Sequence, residues 1–143
     1  MKFINKETFF LKCPHIPSGT AQQRKIAVVR GRVMTYPSDS YMEAKKVYTL
    51  LLNKHKPKTP ITGAVFLSVS YRYETPKKEQ HNKFKITRPD GDNLLKVFKD
   101  CMTQLKFFID DSQVCIEEVS RIWVPKGEGG ILVTIGEIER EAY

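Results

Sequence analysis

The sequence predicts an α+β fold, a single domain over residues 1–143 with a mixed β-sheet and two main helices packed on it. Two segments, near residues 38–53 and 92–106, carry apolar residues at helical spacing. Between and around them lie runs of alternating or β-branched residues bounded by Gly, Pro, Asn and Asp, the pattern of strands and turns. The chain has 143 residues, of which 41% are hydrophobic, enough for one packed core. There is no internal repeat and no second domain.

In order, Thr8 to Lys12 reads as a short strand, and Pro14 to Gly19 as a loop made polar and basic by Gln22-Gln23-Arg24-Lys25. Ile26 to Tyr36 is strand material broken at Arg30-Gly31-Arg32, the pattern of a hairpin. Pro37-Ser38-Asp39 is a helix start with Ser38 or Asp39 as N-cap, and Tyr41, Ala44, Val47, Tyr48, Leu51 and Leu52 follow at helical spacing to about Asn53. Ala64 to Tyr73 is a half-buried strand, with Val65, Leu67, Val69 and Tyr71 on one parity. Thr75 to Thr87 is polar and strongly basic and reads as a flexible loop that approaches a polyanion. The second helix is expected over Asp92 to Lys106, with Leu94, Phe98, Cys101 and Leu105 inward and Asp92, Lys96, Lys99 and Thr103 outward. Val114 to Val124 reads as a strand, Lys126-Gly127-Glu128-Gly129-Gly130 as a hairpin turn, and Ile131 to Ile138 as the returning strand. The acidic tail from Glu137 to Glu141 is expected in solvent.

Lys and Arg number 24 against 16 Asp and Glu, a net charge of +8. So large an excess on a small domain favours nucleic acid or another acidic surface as partner. Cys13, Cys101 and Cys115 are an odd, scattered set without a C-x-x-C pair, which argues against a zinc site or a disulfide framework. A reducing cytoplasm is the expected setting, with no membrane span or signal segment. His15, His55 and His81 fall in polar loops and are expected to meet solvent or phosphate.

Against this basic background, acids gather in two places: Asp90-Gly91-Asp92-Asn93 before the second helix and Asp110-Asp111-Ser112-Gln113 after it. Helix N-termini favour anions, so capping accounts for Asp90 as well as metal binding does. Acids beyond the C-terminus oppose the helix dipole; a turn or a metal site would explain Asp110 and Asp111. Convergent carboxylates suit a hard divalent cation such as Mg²⁺. A helix of 15 residues is about 22 Å long, so the two groups meet only if the chain returns along the helix or a partner subunit supplies carboxylates. An EF-hand reading fails, because its sixth position is Leu95 and its twelfth is Cys101. Gly127-Glu128-Gly129-Gly130 lacks the Lys-Ser/Thr of a P-loop.

The run Arg88-Pro89-Asp90-Gly91-Asp92-Asn93-Leu94-Leu95-Lys96, then Asp100, then Asp110-Asp111-Ser112-Gln113-Val114, resembles the RusA family of Holliday junction resolvases. That family's pattern is R-P-D-x-D-N-L-x-K, a further Asp, and D-D-[SA]-Q-[VI]. The resemblance extends more loosely over the whole chain. It departs at Thr20 to Lys25, where members often carry a Pro-Arg-rich run.

The resemblance implies a small homodimer, of phage or prophage origin, that resolves four-way DNA junctions by paired phosphodiester hydrolysis in recombination and repair. It implies Mg²⁺ or Mn²⁺ as cofactor, Asp90, Asp92 and Asp111 as metal ligands, and Lys96 as the essential basic residue beside them. Asp100, Asp110 and Gln113 are candidates for supporting roles. Lys83, Lys85, Arg88, Lys99 and Arg121 are candidate phosphate contacts on branched DNA. Two readings compete with a junction resolvase: a branched-DNA-binding protein without activity, and a nuclease that prefers flaps or forks. A third treats the acids as helix caps alone.

Overall fold

The computed structural model describes residues 2–20 and 24–143 and forms one α+β domain. The polar run through Gln22 and Gln23 lies outside the described residues. In chain order the elements are β1 (Phe3–Lys12), β2 (Arg24–Val29), β3 (Arg32–Pro37), α1 (Asp39–Asn53), β4 (Val65–Glu74), α2 (Gly91–Gln104), β5 (Val114–Val124) and β6 (Gly130–Ile138). A mixed sheet has the order β1-β6-β4-β5. β4 and β5 are parallel, as they must be when the chain crosses between them through a helix, and the other two pairings are antiparallel.

One face of this sheet makes the core. Leu67 opposes Ile135, Val69 opposes Val133 and Tyr71 opposes Ile131, so alternate residues of β4 and β6 point to the same side. Both helices supply the other half. α1 buries Ala44, Tyr48 and Leu52, four residues apart, and α2 buries Leu94, Leu95, Val97, Phe98, Cys101 and Met102. Phe98 ties the layers together, edge-on to Tyr48 of α1 at 5.3 Å and to Tyr71 of β4 at 6.3 Å. Its truncation to Ala would cost about 3–5 kcal/mol. Ser38 is the N-cap of α1, its hydroxyl accepting from the Tyr41 amide at 3.1 Å.

The expected elements are present, with five differences. β5 and β6 do not form the expected hairpin: β4 lies between them, parallel to β5 and antiparallel to β6, so the turn over Lys126 to Gly130 carries the chain across β4. β1 begins at Phe3 rather than Thr8, because Phe3 to Glu7 is an edge segment with an irregular register that hides its alternation. Residues 75–87 are not a free loop. A short 3₁₀ turn covers Lys78–Gln80, and the segment after it lies along the outer edge of β5, with Asn82 N–H to Trp123 O at 2.8 Å and Lys85 N–H to Arg121 O at 2.9 Å. Glu137 and Ile138 belong to β6, and Ile138 is buried, so the exposed acidic tail starts later. His55 and His81 are also engaged: His55 stacks on Phe9 at 4.4 Å, and a ring nitrogen of His81 lies 2.9 Å from Thr75 O.

β2 and β3 form a separate two-stranded ribbon. Its turn places Arg30 and Gly31 at φ 51° and 75°, the paired left-handed conformation of a tight hairpin. Ile26, Val28 and Val33 are 74%, 71% and 72% exposed, so the ribbon projects away from the core. Among the described residues, no helix is long and apolar enough to cross a membrane.

Candidate active site

α2 organises the acids, with one group at each end. At its start, Asp90 is the N-cap residue by backbone conformation, but its side chain makes no capping hydrogen bond. Helix capping alone therefore does not account for Asp90, whose carboxylate stays exposed. Gly91 lets the helix start lie against β5: a Cβ there would stand 3.0 Å from a methyl of Val119, tighter than ordinary packing. Asp92 follows in the first turn, exposed, where the helix dipole favours an anion.

The other end is built by a reversal. Lys106, at φ 64°, turns the chain back after α2, and the buried Phe107 and Phe108 anchor the return. The Ile61 amide donates to Phe107 O at 3.0 Å. Asp110 then caps the 3₁₀ turn Asp111–Gln113, accepting from the Ser112 amide at 2.9 Å. That hydrogen bond holds its carboxyl below the usual carboxylate range. Gln113 fastens the turn from both sides of its amide. Its oxygen accepts from the Ile109 and Asp110 amides, and its nitrogen donates to Ile61 O and Gly63 O at 2.8 and 2.9 Å. Asp110 and Gln113 are thus structural supports, and Asp111 is the exposed acid they hold out.

Asp111 faces Asp100 of α2. Together with Lys45, Thr103, Gln104 and Asp110 they line a hollow of about 290 Å³. Burial raises the Asp100 carboxyl above its ordinary range, and the Asp111 charge adds to the effect. Lys45, Lys96 and Lys99 oppose it. Lys45 was invisible in the sequence, because only the packing of α1 on α2 brings it here. A larger, mostly apolar hollow of about 430 Å³ beside Ile116, Ile138 and Tyr143 contains none of the acids.

Asp92, Lys96 and Asp100 occupy successive turns of one α2 stripe. Eight residues separate the two acids, a rise of about 12 Å. The return after Lys106 therefore brings Asp111 beside Asp100, two turns short of Asp92. Among the described residues, no three carboxylate, imidazole or thiol groups gather closely enough to hold a metal ion. Aspartate oxygens are the right donors for Mg²⁺ or Mn²⁺; among the described residues Asp90, Asp92 and Asp111 do not form such a group.

The five cations expected on DNA are placed in three ways. Lys83 and Arg88 are exposed. Lys99 is only 18% exposed along its side chain and pairs with Glu117 of β5 at 2.8 Å. Lys85 and Arg121 are spent within the protein: Lys85 is buried and donates to the Thr87 hydroxyl at 2.7 Å and to the backbone Arg88 O at 2.9 Å, and Arg121 donates to the backbone Pro89 O at 2.6 Å. Arg30 and Arg32, at the exposed ribbon tip, are cations that the sequence reading did not single out. The hairpin signal around Gly31 could have found them.

The fold is a mixed sheet with both helices on one face and an acid-bearing helix crossing between parallel strands; sequence comparison gives the family. The sequence model of Endodeoxyribonuclease RusA matches residues 14–136, and the chain belongs to that family. It is 32% identical over 103 residues to a "Crossover junction endodeoxyribonuclease rusA" of Lactococcus phage r1t, covering 72% of this chain and 79% of that protein. It is also 33% identical over 90 residues to the "Uncharacterized protein YqaN" of Bacillus subtilis (strain 168), covering 55% of this chain and 63% of that one.

Proposed function

We propose that this chain is a structure-specific endodeoxyribonuclease that resolves four-way DNA junctions, works as a homodimer, and requires Mg²⁺ or Mn²⁺. One observation carries the reading: in a chain of this family, with net charge +8, the acids Asp90, Asp92 and Asp111 are all exposed, and Asp90 makes no capping hydrogen bond. The similar phage protein is named as a crossover junction endodeoxyribonuclease, which supports the choice of substrate.

The separation of the acids shapes the proposal. Asp90 and Asp92 stand at one end of α2 and Asp111 at the other, so a second copy brings the start of its own α2 to the Asp111 end of the first. Each cation then sits between copies. Lys96, on the stripe between the two ends, counters the charge that the acids and a scissile phosphate bring together. Two such sites related by a two-fold axis suit the paired cuts that a two-fold junction needs. Lys83, Arg88, Arg30 and Arg32 supply phosphate contacts.

The test compares cleavage of a synthetic four-way junction, a flap and a linear duplex, with Mg²⁺ or Mn²⁺ and with chelator. The expected result is symmetric paired nicking of the four-way junction, lost in chelator and in Asp92→Asn, with junction binding retained. Binding should weaken steeply with salt, as counterion release requires. Wild-type cleavage by Asp92→Asn would sink the assignment, and preferred cutting of flaps would replace the substrate.

A further inference from the structure

The segment that delivers Asp90 is held by a lysine where a DNA-binding protein would be expected to keep its lysines outside. Lys85 retains only 8% of its surface. Its ammonium lies 4.8 Å from the ring centre of Tyr73 and 5.4 Å from that of Trp123, two aromatic faces that favour a cation. A lysine ammonium has three protons to donate. Three acceptors are in reach: the Thr87 hydroxyl at 2.7 Å, Arg88 O at 2.9 Å and Thr87 O at 3.2 Å. Burying a charge is tolerated only with such complete compensation. Little is then left for a phosphate.

Arg121 of β5 completes the arrangement. Its guanidinium donates to Thr87 O and to Pro89 O, the latter at 2.6 Å. Two cations thus hold the carbonyls of three consecutive residues, Thr87, Arg88 and Pro89. The next residue is Asp90, whose own carbonyl accepts the first α2 hydrogen bond, from Leu94 N–H at 3.1 Å. The main chain before Asp90 is fixed, while its carboxylate is not used to fix it.

We propose that Lys85 and Arg121 are positioning residues that clamp the Thr87–Pro89 turn from inside the protein, and so set the start of α2 and the aim of Asp90 and Asp92. Their role in cleavage rests on the nuclease reading above. Their grip on the turn does not. A reacting group displaced by about 1 Å can cost a hundredfold in rate, so a clamp with no contact to DNA still governs turnover.

The test uses the full-length protein with Lys85→Met, which keeps the length of the stem and removes the charge. On a four-way junction, kcat should fall at least about tenfold, with KM, junction affinity and the salt dependence of binding unchanged. Hydrogen exchange at the Leu94 and Leu95 amides should quicken while the β4 amides keep their protection. A phosphate contact predicts the reverse, weaker binding with a salt slope lower by about one. That result, or wild-type kcat with wild-type exchange, overturns the proposal. If Lys85→Met does not fold, Arg121→Gln decides by the same criteria. Asp92→Asn serves as the control. If the wild-type protein proves not to cut junctions, the nuclease reading fails by itself, and the exchange measurement still judges the clamp.

Discussion

At the start of α2, Asp90 and Asp92 stand exposed on a turn held from behind by Lys85 and Arg121. At its far end, Asp111 stands exposed on a turn held by Asp110 and Gln113, and it faces a partly buried Asp100. The same residue type is presented twice, through cations gripping carbonyls in one place and through a capping box in the other. The difference shows which acids do the holding and which are held. In the first group every acid is left free, whereas in the second Asp110 is consumed by the fold. Neighbouring Asp110 and Asp111 are therefore not equivalent, although the sequence writes them side by side.

The largest expected effect is functional and should appear at both ends. Asp92→Asn and Asp111→Asn should each lower junction cleavage by at least about a hundredfold, with binding intact in a gel-shift assay. A variant at one end that still cuts would break the pairing of the two groups. Gln113→Ala comes next. It strips partners from four backbone groups, so denaturant unfolding should show a loss of about 2–3 kcal/mol. Asp110→Ala should lower stability less than Gln113→Ala does, as loss of an exposed cap, while Asp110→Asn keeps the acceptor and most of that stability. Cleavage by Asp110→Asn should stay within severalfold of wild type, in contrast to Asp111→Asn.

The smallest effect concerns pH. Because the Asp100 carboxyl is raised in the folded state, folding takes up a proton there, and the charged form lowers stability once pH rises above the ordinary carboxylate range. Asp100→Asn should therefore stabilise the protein modestly near neutral pH, with the gain shrinking as pH falls through that range. Thermal melts from acid to neutral pH check the sign; a loss of stability at neutral pH would mean that Lys45, Lys96 and Lys99 outweigh burial and Asp111.

Much of this was legible in the sequence. The Asp-Gly-Asp-Asn start and the spacing of Leu94, Phe98 and Cys101 define α2 to within two residues at each end. The parity of Val65, Leu67, Val69 and Tyr71 gives the buried face of β4. The sequence leaves the return after α2 as one of two alternatives, because it depends on Lys106 taking a left-handed conformation that no glycine announces. The inside of Lys85 was not legible. Lys83-Phe84-Lys85-Ile86 alternates, but with charge on one side and apolar groups on the other, and the usual rule turns the apolar side inward. Here Phe84 and Ile86 are 73% and 90% exposed, because Tyr73 and Trp123, from two neighbouring strands, offer the lysine an aromatic pocket instead. Local pattern does not contain that pocket.

The central claim is that the separated acids of α2 act together only between two copies, and mixing inactive variants tests it most directly. Asp92→Asn and Asp111→Asn proteins are unfolded together, refolded as a mixture and assayed for nicking of a four-way junction. If Asp92 of one copy works with Asp111 of the other, each mixed dimer regains one intact site, and single-strand nicking returns. If each site is built within one chain, both sites of the mixed dimer carry a lesion, and the mixture stays as inactive as its parents.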